Sequence, residues 1–170
     1  CMKFQPSVLV MIDISELNLF EIEREMTSEH SNILFKPFLA DIRDQVSVNK
    51  VYDQFRPQVV FHAAAYKHVP MQEYFPSEAV KTNIFGTSNI ANLAIKYGVE
   101  KFVLVSTDKA VRPTNVMGAT KRLAEIILQN SNRIQNKTEF MSVRFGNVLG
   151  SSGSVIPIFQ DQIKKGGPVT

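Results

Sequence analysis

Short apolar runs alternate along this chain with stretches whose apolar residues recur every three or four positions. Val8–Ile12, Ile33–Leu39, Gln58–Ala63, Phe102–Val105 and Phe140–Arg144 read as buried strands. The second is irregular, because Lys36 and Pro37 interrupt it. Helical patterns fill the intervals at Glu16–Met26, Asp44–Phe55, Ser77–Tyr97, Met117–Asn130 and Val155–Lys165. Ser15 suits the cap of the first helix. Val80, Ile84, Ala91 and Ala94 keep helical spacing along the third, and Gly98 stops it. Ala124, Ile127 and Leu128 mark the inner side of the fourth, and Gly166-Gly167 ends the last. Such alternation predicts a doubly wound, Rossmann-like α/β fold: a parallel sheet with right-handed crossover helices on both faces.

One part of that fold is not found. A dinucleotide fold opens with a strand and a Gly-rich turn, which seats a pyrophosphate on a helix N-terminus. Here the first strand ends in Asp13, the acidic tip expected of a second strand, and Cys1–Gln5 would be the end of a first helix. In the strand order 3-2-1-4-5-6 this leaves a gap at the centre of the sheet. The chain stops at Gly167–Thr170, before any substrate-binding lobe. The expectation is a single domain, 1–170, truncated at both ends, without its first strand and its C-terminal substrate lobe.

Composition narrows the classes. With 44% hydrophobic and 21% charged residues the chain can build a core. Its net charge of +3 is small and its basic residues are scattered, which argues against nucleic acid. A single cysteine, Cys1, excludes an internal disulfide and suits a reducing compartment. His30, His62 and His68 lack metal-ligand spacing, so no metal is expected. No apolar run nears the roughly 20 residues that span a bilayer. No apolar segment follows the first residues as in a signal peptide, so a cytoplasmic location is expected.

Four segments carry a family resemblance: V-F-H-A-A-A-Y-K-H-V-P (60–70), K-T-N-I-F-G-T (81–87), S-T-D-K-A-V-R-P-T-N-V-M-G-A-T-K-R (106–122) and R-F-G-N-V-L-G-S-S-G-S-V-I-P (144–157). In this order they resemble the extended short-chain dehydrogenases, and more narrowly the nucleotide-sugar dehydratases of polysaccharide biosynthesis, of the CapD or PglF/WbpM type. The resemblance implies NAD as cofactor and a UDP-N-acetylhexosamine, UDP-GlcNAc above all, as substrate. It implies dehydration to a 4-keto-6-deoxy sugar and a homo-oligomer. It also admits a parent protein anchored in the inner membrane with its catalytic domain in the cytoplasm. A 4-epimerase and a non-catalytic nucleotide-binding module are the alternatives.

The candidate site residues follow the strand ends. Asp13 can accept both ribose hydroxyls of an adenosine and would repel a 2′-phosphate, which favours NAD; a helix-capping role competes. The resemblance implies adenine contacts from Asp41 and Ile42. Ala63, Ala64 and Ala65 leave room for a cofactor to approach the backbone, or for tight helix–sheet packing. Lys67 is a candidate for the substrate side of the cleft, and the resemblance gives Asn83 a supporting role from its helix.

Ser106, at the end of its strand, belongs to the cofactor side. The resemblance makes Asp108 the C6 acid and Lys109 the C5 base, and burial is expected to favour their uncharged forms. Short-chain dehydrogenases pair a tyrosine with a lysine four residues on. Here Lys121 is the lysine, at the nicotinamide ribose, and Met117 stands at the tyrosine position. Met117 cannot act as a base, so Thr107 becomes the candidate to pass the C4 proton on. Asn147 resembles a residue that contacts the sugar nucleotide. Ser154 closes a turn before a helix whose N-terminus can receive a diphosphate.

Overall fold

The computed structural model describes residues 1–29, 33–135, 137–146, 148 and 155–169. A single 3₁₀ turn, Met2–Phe4, precedes the first strand. Among the described residues, five parallel strands form two sheets. In one, β1 (Val8–Asp13) pairs with β2 (Leu34–Leu39) from Val8↔Leu34 to Asp13↔Leu39. In the other, β4 (Lys101–Thr107) lies between β3 (Val59–His62) and β5 (Glu139–Phe145). Among the described residues the two sheets are not paired with each other, as a gap at the sheet centre predicts.

Helix α1 (Glu16–Glu29) returns the chain from β1 to β2. It covers the side of β1 that carries Met11 and Asp13, which share a hollow with Leu19 and Ile22. Ile12, one residue out of phase, packs on the opposite side against the main core. That core lies under α2 (Gln45–Phe55), α5 (Thr87–Tyr97) and α6 (Val116–Ile134), and includes Val48, Tyr52, Ile90, Leu93, Phe102, Leu104, Leu128 and Phe140. Helices thus occupy both sides, the doubly wound arrangement. The other face of β3–β4–β5 is barer: Phe61 is 59% exposed, and Val59, Val143 and Phe145 are exposed beside it.

Local chemistry explains the element ends. Asp44 caps α2 by accepting from the Val46 and Ser47 amides, and Gly98 ends α5 with a left-handed φ of 70°. The helix expected over Ser77–Tyr97 is helical throughout but changes pitch: α4 (Pro76–Ala79) runs into a π-helical turn, Val80–Gly86, and then into α5. A short helix, α3 (Val69–Tyr74), precedes it, with Pro70 in the first turn, where its missing N–H costs nothing. The last helix, α7, is Val155–Lys164.

Candidate active site

The C-terminal end of β4 meets the N-terminal end of α6, and the sharpest chemistry collects there. After Thr107 the chain makes a 3₁₀ turn, Asp108–Ala110. That turn sits directly on Gly118: a β-carbon at 118 would lie 2.5 Å from the Lys109 carbonyl oxygen. Asn115 caps α6 by accepting from the Gly118 amide at 2.8 Å, and the Glu73 carboxylate accepts from the Val116 amide at 2.7 Å.

Lys109 Nζ lies 3.1 Å from Asp108 Oδ1. The Thr107 hydroxyl donates to the same oxygen at 2.9 Å and accepts from the Lys109 amide. First this hydroxyl and then the Lys109 ammonium hold the Asp108 carboxyl below its ordinary range. The pair is open to solvent, with side chains 56% and 37% exposed. The burial expected to favour uncharged forms is therefore not present here, and the ion pair is the stable arrangement. A β-carbon at Gly146, just past β5, would lie 3.6 Å from Asp108 Oδ2, an ordinary contact distance.

Behind this pair, α6 presents Met117 and Lys121, both buried. Lys121 Nζ donates to the Val105 carbonyl at 2.6 Å. Burial pushes its ammonium down to about 8, against the pull of Glu125. Glu125, one turn further on, is also buried and accepts from Ser106 Oγ at 2.6 Å. Arg144 grips it with Nε at 2.8 Å and Nη2 at 2.6 Å, and Arg122 adds a third cationic donor at 3.0 Å. These donors outweigh burial and bring its carboxyl down to about 2. The Ser106 hydroxyl thus points at α6, and the structure does not bring it to the open side with Thr107 and Asp108.

The loop after β3 is held from the π turn. Asn83 Oδ1 accepts from the Tyr66 amide at 2.8 Å, while Nδ2 donates to the Tyr66 carbonyl at 3.1 Å and to Thr120 Oγ1 at 2.9 Å. Ala63 and Ala64 are exposed, Ala65 is half-buried and Lys67 is exposed on this loop. At the tip of β1, Asp13 Oδ1 accepts from the Ser15 amide at 2.8 Å, while Ser15 Oγ, accepting from the Asn18 amide at 3.3 Å, is the cap of α1. The other Asp13 oxygen has only a long contact, 3.5 Å, to Asn18. Asp41 is bound by Arg43, through the amide at 2.8 Å and through Nε at 2.7 Å, and Arg43 Nη1 reaches Glu78 at 2.9 Å. The Arg43 side-chain bond holds the Asp41 carboxyl below its ordinary range. The Ile42 side chain belongs to the core and lies against Gly86.

Asn147 and Ser154 lie outside the described residues. The structure therefore brings Thr107, Asp108, Lys109, Met117 and Lys121 together, and sets Asp13 and Asp41 at the tips of the other sheet. Sequence reasoning missed Glu125, Arg144 and Arg43. A signal for Glu125 was available: it stands four residues after Lys121, on the same helical face, and a buried carboxylate needs cationic partners.

Over residues 1–170 the chain matches the family described as polysaccharide biosynthesis protein. It is 50% identical to the capsular polysaccharide biosynthesis protein CapD of Staphylococcus aureus, covering 99% of this chain and 28% of that one. It is 41% identical to a UDP-glucose 4-epimerase of Rickettsia canadensis, over 95% of this chain and 48% of that one. With the inverting UDP-N-acetylglucosamine 4,6-dehydratase of Campylobacter jejuni, strain 81-176, the identity is 37%, over 98% and 50%. The solved structure of Pen from Bacillus thuringiensis superimposes with a TM-score of 0.89 at 40% identity, covering 99% of this chain and 51% of that one. The chain thus spans about half, or less, of the length of these proteins.

Proposed function

The chain belongs to the polysaccharide biosynthesis protein family, and on that premise we propose that it is the NAD-binding, catalytic part of a UDP-N-acetylhexosamine 4,6-dehydratase. UDP-GlcNAc is the substrate and a 4-keto-6-deoxy sugar the product. The observation that carries this reading is the Asp108–Lys109 pair at the end of β4, joined at 3.1 Å and standing over a helix that has Met117, not tyrosine, four residues before Lys121.

The residues present fit a dinucleotide in two respects. Asp13 has one oxygen with only a long contact, available to the hydroxyls of an adenosine ribose. Lys121 gives one proton to Val105 and has two more to offer the second ribose. Asp41 and Ile42 would border the adenine, Ala63–Ala65 would admit the backbone approach, and Ser106 would contribute through its backbone. NAD, when bound, supplies the acceptor for the C4 hydride and its donor at C6.

The chain's own residues move the protons. Thr107 passes the C4 hydroxyl proton to Asp108, to which its hydroxyl is already bonded. Asp108 is then an acid. As a bound sugar excludes water, Lys109 gives up its ammonium proton to the departing solvent; the neutral amine then takes the C5 proton while Asp108 protonates the departing C6 hydroxyl. Lys109 returns its proton to C5, leaving Asp108 ionised and Lys109 neutral; on product release the amine takes a proton back from water and the ion pair re-forms. Lys67, Asn147 and Ser154 are the proposed contacts of the sugar nucleotide. The whole protein is proposed to be a homo-oligomer, cytoplasmic or anchored with this part in the cytoplasm. Among the described residues no helix is long and apolar enough to cross a membrane.

The test is incubation of the full-length protein with UDP-GlcNAc, followed by mass spectrometry. The expected product has lost one water, without net consumption of NAD. The epimerase relative favours a second reading: an unchanged mass with C4 inverted by NMR would establish that and sink the dehydratase. In the dehydratase reading, Lys109→Ala abolishes dehydration; full activity in that variant would remove Lys109 as the base.

A further inference from the structure

Glu125 has no part in the proton steps above, yet it is placed at a cost. Its side chain is 1% exposed, and a buried carboxylate is tolerated only when its oxygens are well bonded. Its partners are specific to the site. Ser106 is the residue before Thr107. Arg144 lies two residues before Gly146, where a β-carbon would come within 3.6 Å of Asp108 Oδ2. Lys121, one turn back on the same helix, holds the Val105 carbonyl. Residues 105 and 106 are thus both tied to α6, the first through its carbonyl and the second through its hydroxyl. The end of β5 is tied to the same carboxylate by two bonds from one guanidinium.

We propose that Glu125 is a positioning residue, a carboxylate clamp that fixes the tips of β4 and β5 on α6 and so aims Asp108 and Lys109 over Met117 and Lys121. The proposal rests on the dehydratase reading for what is being aimed, but the clamp itself is a property of the chain. A fork-shaped guanidinium on one carboxylate fixes direction as well as distance. The 3₁₀ turn that carries Asp108 and Lys109 follows Ser106 and Thr107 without any slack. An error at Ser106 is therefore passed directly to the acid and the base, and displacements of that order cost turnover rather than binding.

Two variants of the full-length protein test this. Glu125→Gln keeps the shape and removes the charge. The double variant Glu125→Met with Arg144→Met replaces the ion pair by apolar groups, which restores stability without restoring the clamp. For Glu125→Gln the expected result is a kcat lower by about ten- to a hundredfold with KM for UDP-GlcNAc nearly unchanged. Amide hydrogen exchange should accelerate at 105–110 and 142–146 but not in α2 or β2. The double variant should recover Tm and leave kcat low. A kcat that follows Tm through both variants would reduce Glu125 to a fold-stabilising group and overturn the proposal, as would unaltered exchange at 105–110. If the unmutated protein does not dehydrate UDP-GlcNAc, the dehydratase reading falls. The exchange pattern, read without turnover, still decides the clamp.

Discussion

Gly118 has no room for a methyl group. A β-carbon there would stand 2.5 Å from the Lys109 carbonyl and 3.3 Å from Asn115 Oδ1, the oxygen that caps the helix. Both neighbours are anchored, so Gly118→Ala must push the 3₁₀ turn away from α6. The expected cost is about 1–3 kcal/mol, as for other overpacked sites, read as a lower urea midpoint. Activity should fall further than stability accounts for, because the displaced turn carries Asp108 and Lys109. Acid sensitivity is also decided by single residues. His62 is buried and bonded to Thr87 Oγ1 at 2.8 Å; because that hydroxyl donates onward to the Asn83 carbonyl, His62 Nε2 must be the donor. Burial, and then the charge of Lys121, push the imidazole from 6.5 to about 3. A depressed histidine resists protonation when folded and accepts it when unfolded, so stability is lost as pH falls from 6.5 toward 3. Glu125, brought from 4.5 down to about 2, contributes stability that is full above 4.5 and lost as pH falls toward 2. Below pH 8, past the range in which Lys121 titrates, denaturation midpoints should therefore begin to fall near 6.5. In His62→Gln the decline should start only near 4.5; an unchanged onset would show that the imidazole is not the group responsible.

Elements differ in how far their own sequence determines them. The strands and the phase of α6 were legible, because their burial follows local periodicity: Ala124 and Leu128 face the core as the spacing requires. The cap at Asp44 and the stop at Gly98 act through their nearest neighbours, and Gly98 was readable for that reason. The π turn was not. Its key residue, Asn83, is held by Tyr66, 17 residues earlier, and by Thr120, 37 residues later, and no local pattern records such partners. Glu125 stood in helical register with Lys121, but its partner Arg144, 19 residues away, left no local trace. The site was half legible for the same reason: Asp108, Lys109 and Lys121 belong to contiguous motifs, while the groups that orient them come from other elements. Asn83→Ala should release the loop after β3, leaving the Tyr66 amide and carbonyl without their partner. The expected loss is about 2–3 kcal/mol, with faster amide exchange at 63–67 and in the π turn. Equal protection in the variant would mean that packing alone holds the loop.

At the scale of the whole chain the two sheets set the limit on binding. Asp13 ends a strand of one sheet, whereas Ala63–Ala65 and Asp108 follow strands of the other, and no strand pairing among the described residues joins them. Their relative placement rests on packing, through Ile12 from β1 and Val60 from β3, onto a shared core. A dinucleotide has to bridge both sheets, and its pyrophosphate wants backbone amides at a helix N-terminus between them. No Gly-rich turn follows β1, β2, β3 or β4 to supply these. The exposed face with Val59, Phe61, Val143 and Phe145 adds a second consequence, since an apolar sheet face in water favours self-association. Expressed by itself, the 170-residue chain should bind a hydrophobic dye and elute early on gel filtration. It should show no calorimetric NAD binding below about millimolar concentration, an affinity of only about 4 kcal/mol. Micromolar binding would mean that Asp13 and Lys121 are already held at the separation a dinucleotide needs. Weak binding that tightens in the full-length protein would put the missing free energy in the link between the sheets, and not in the residues at their tips.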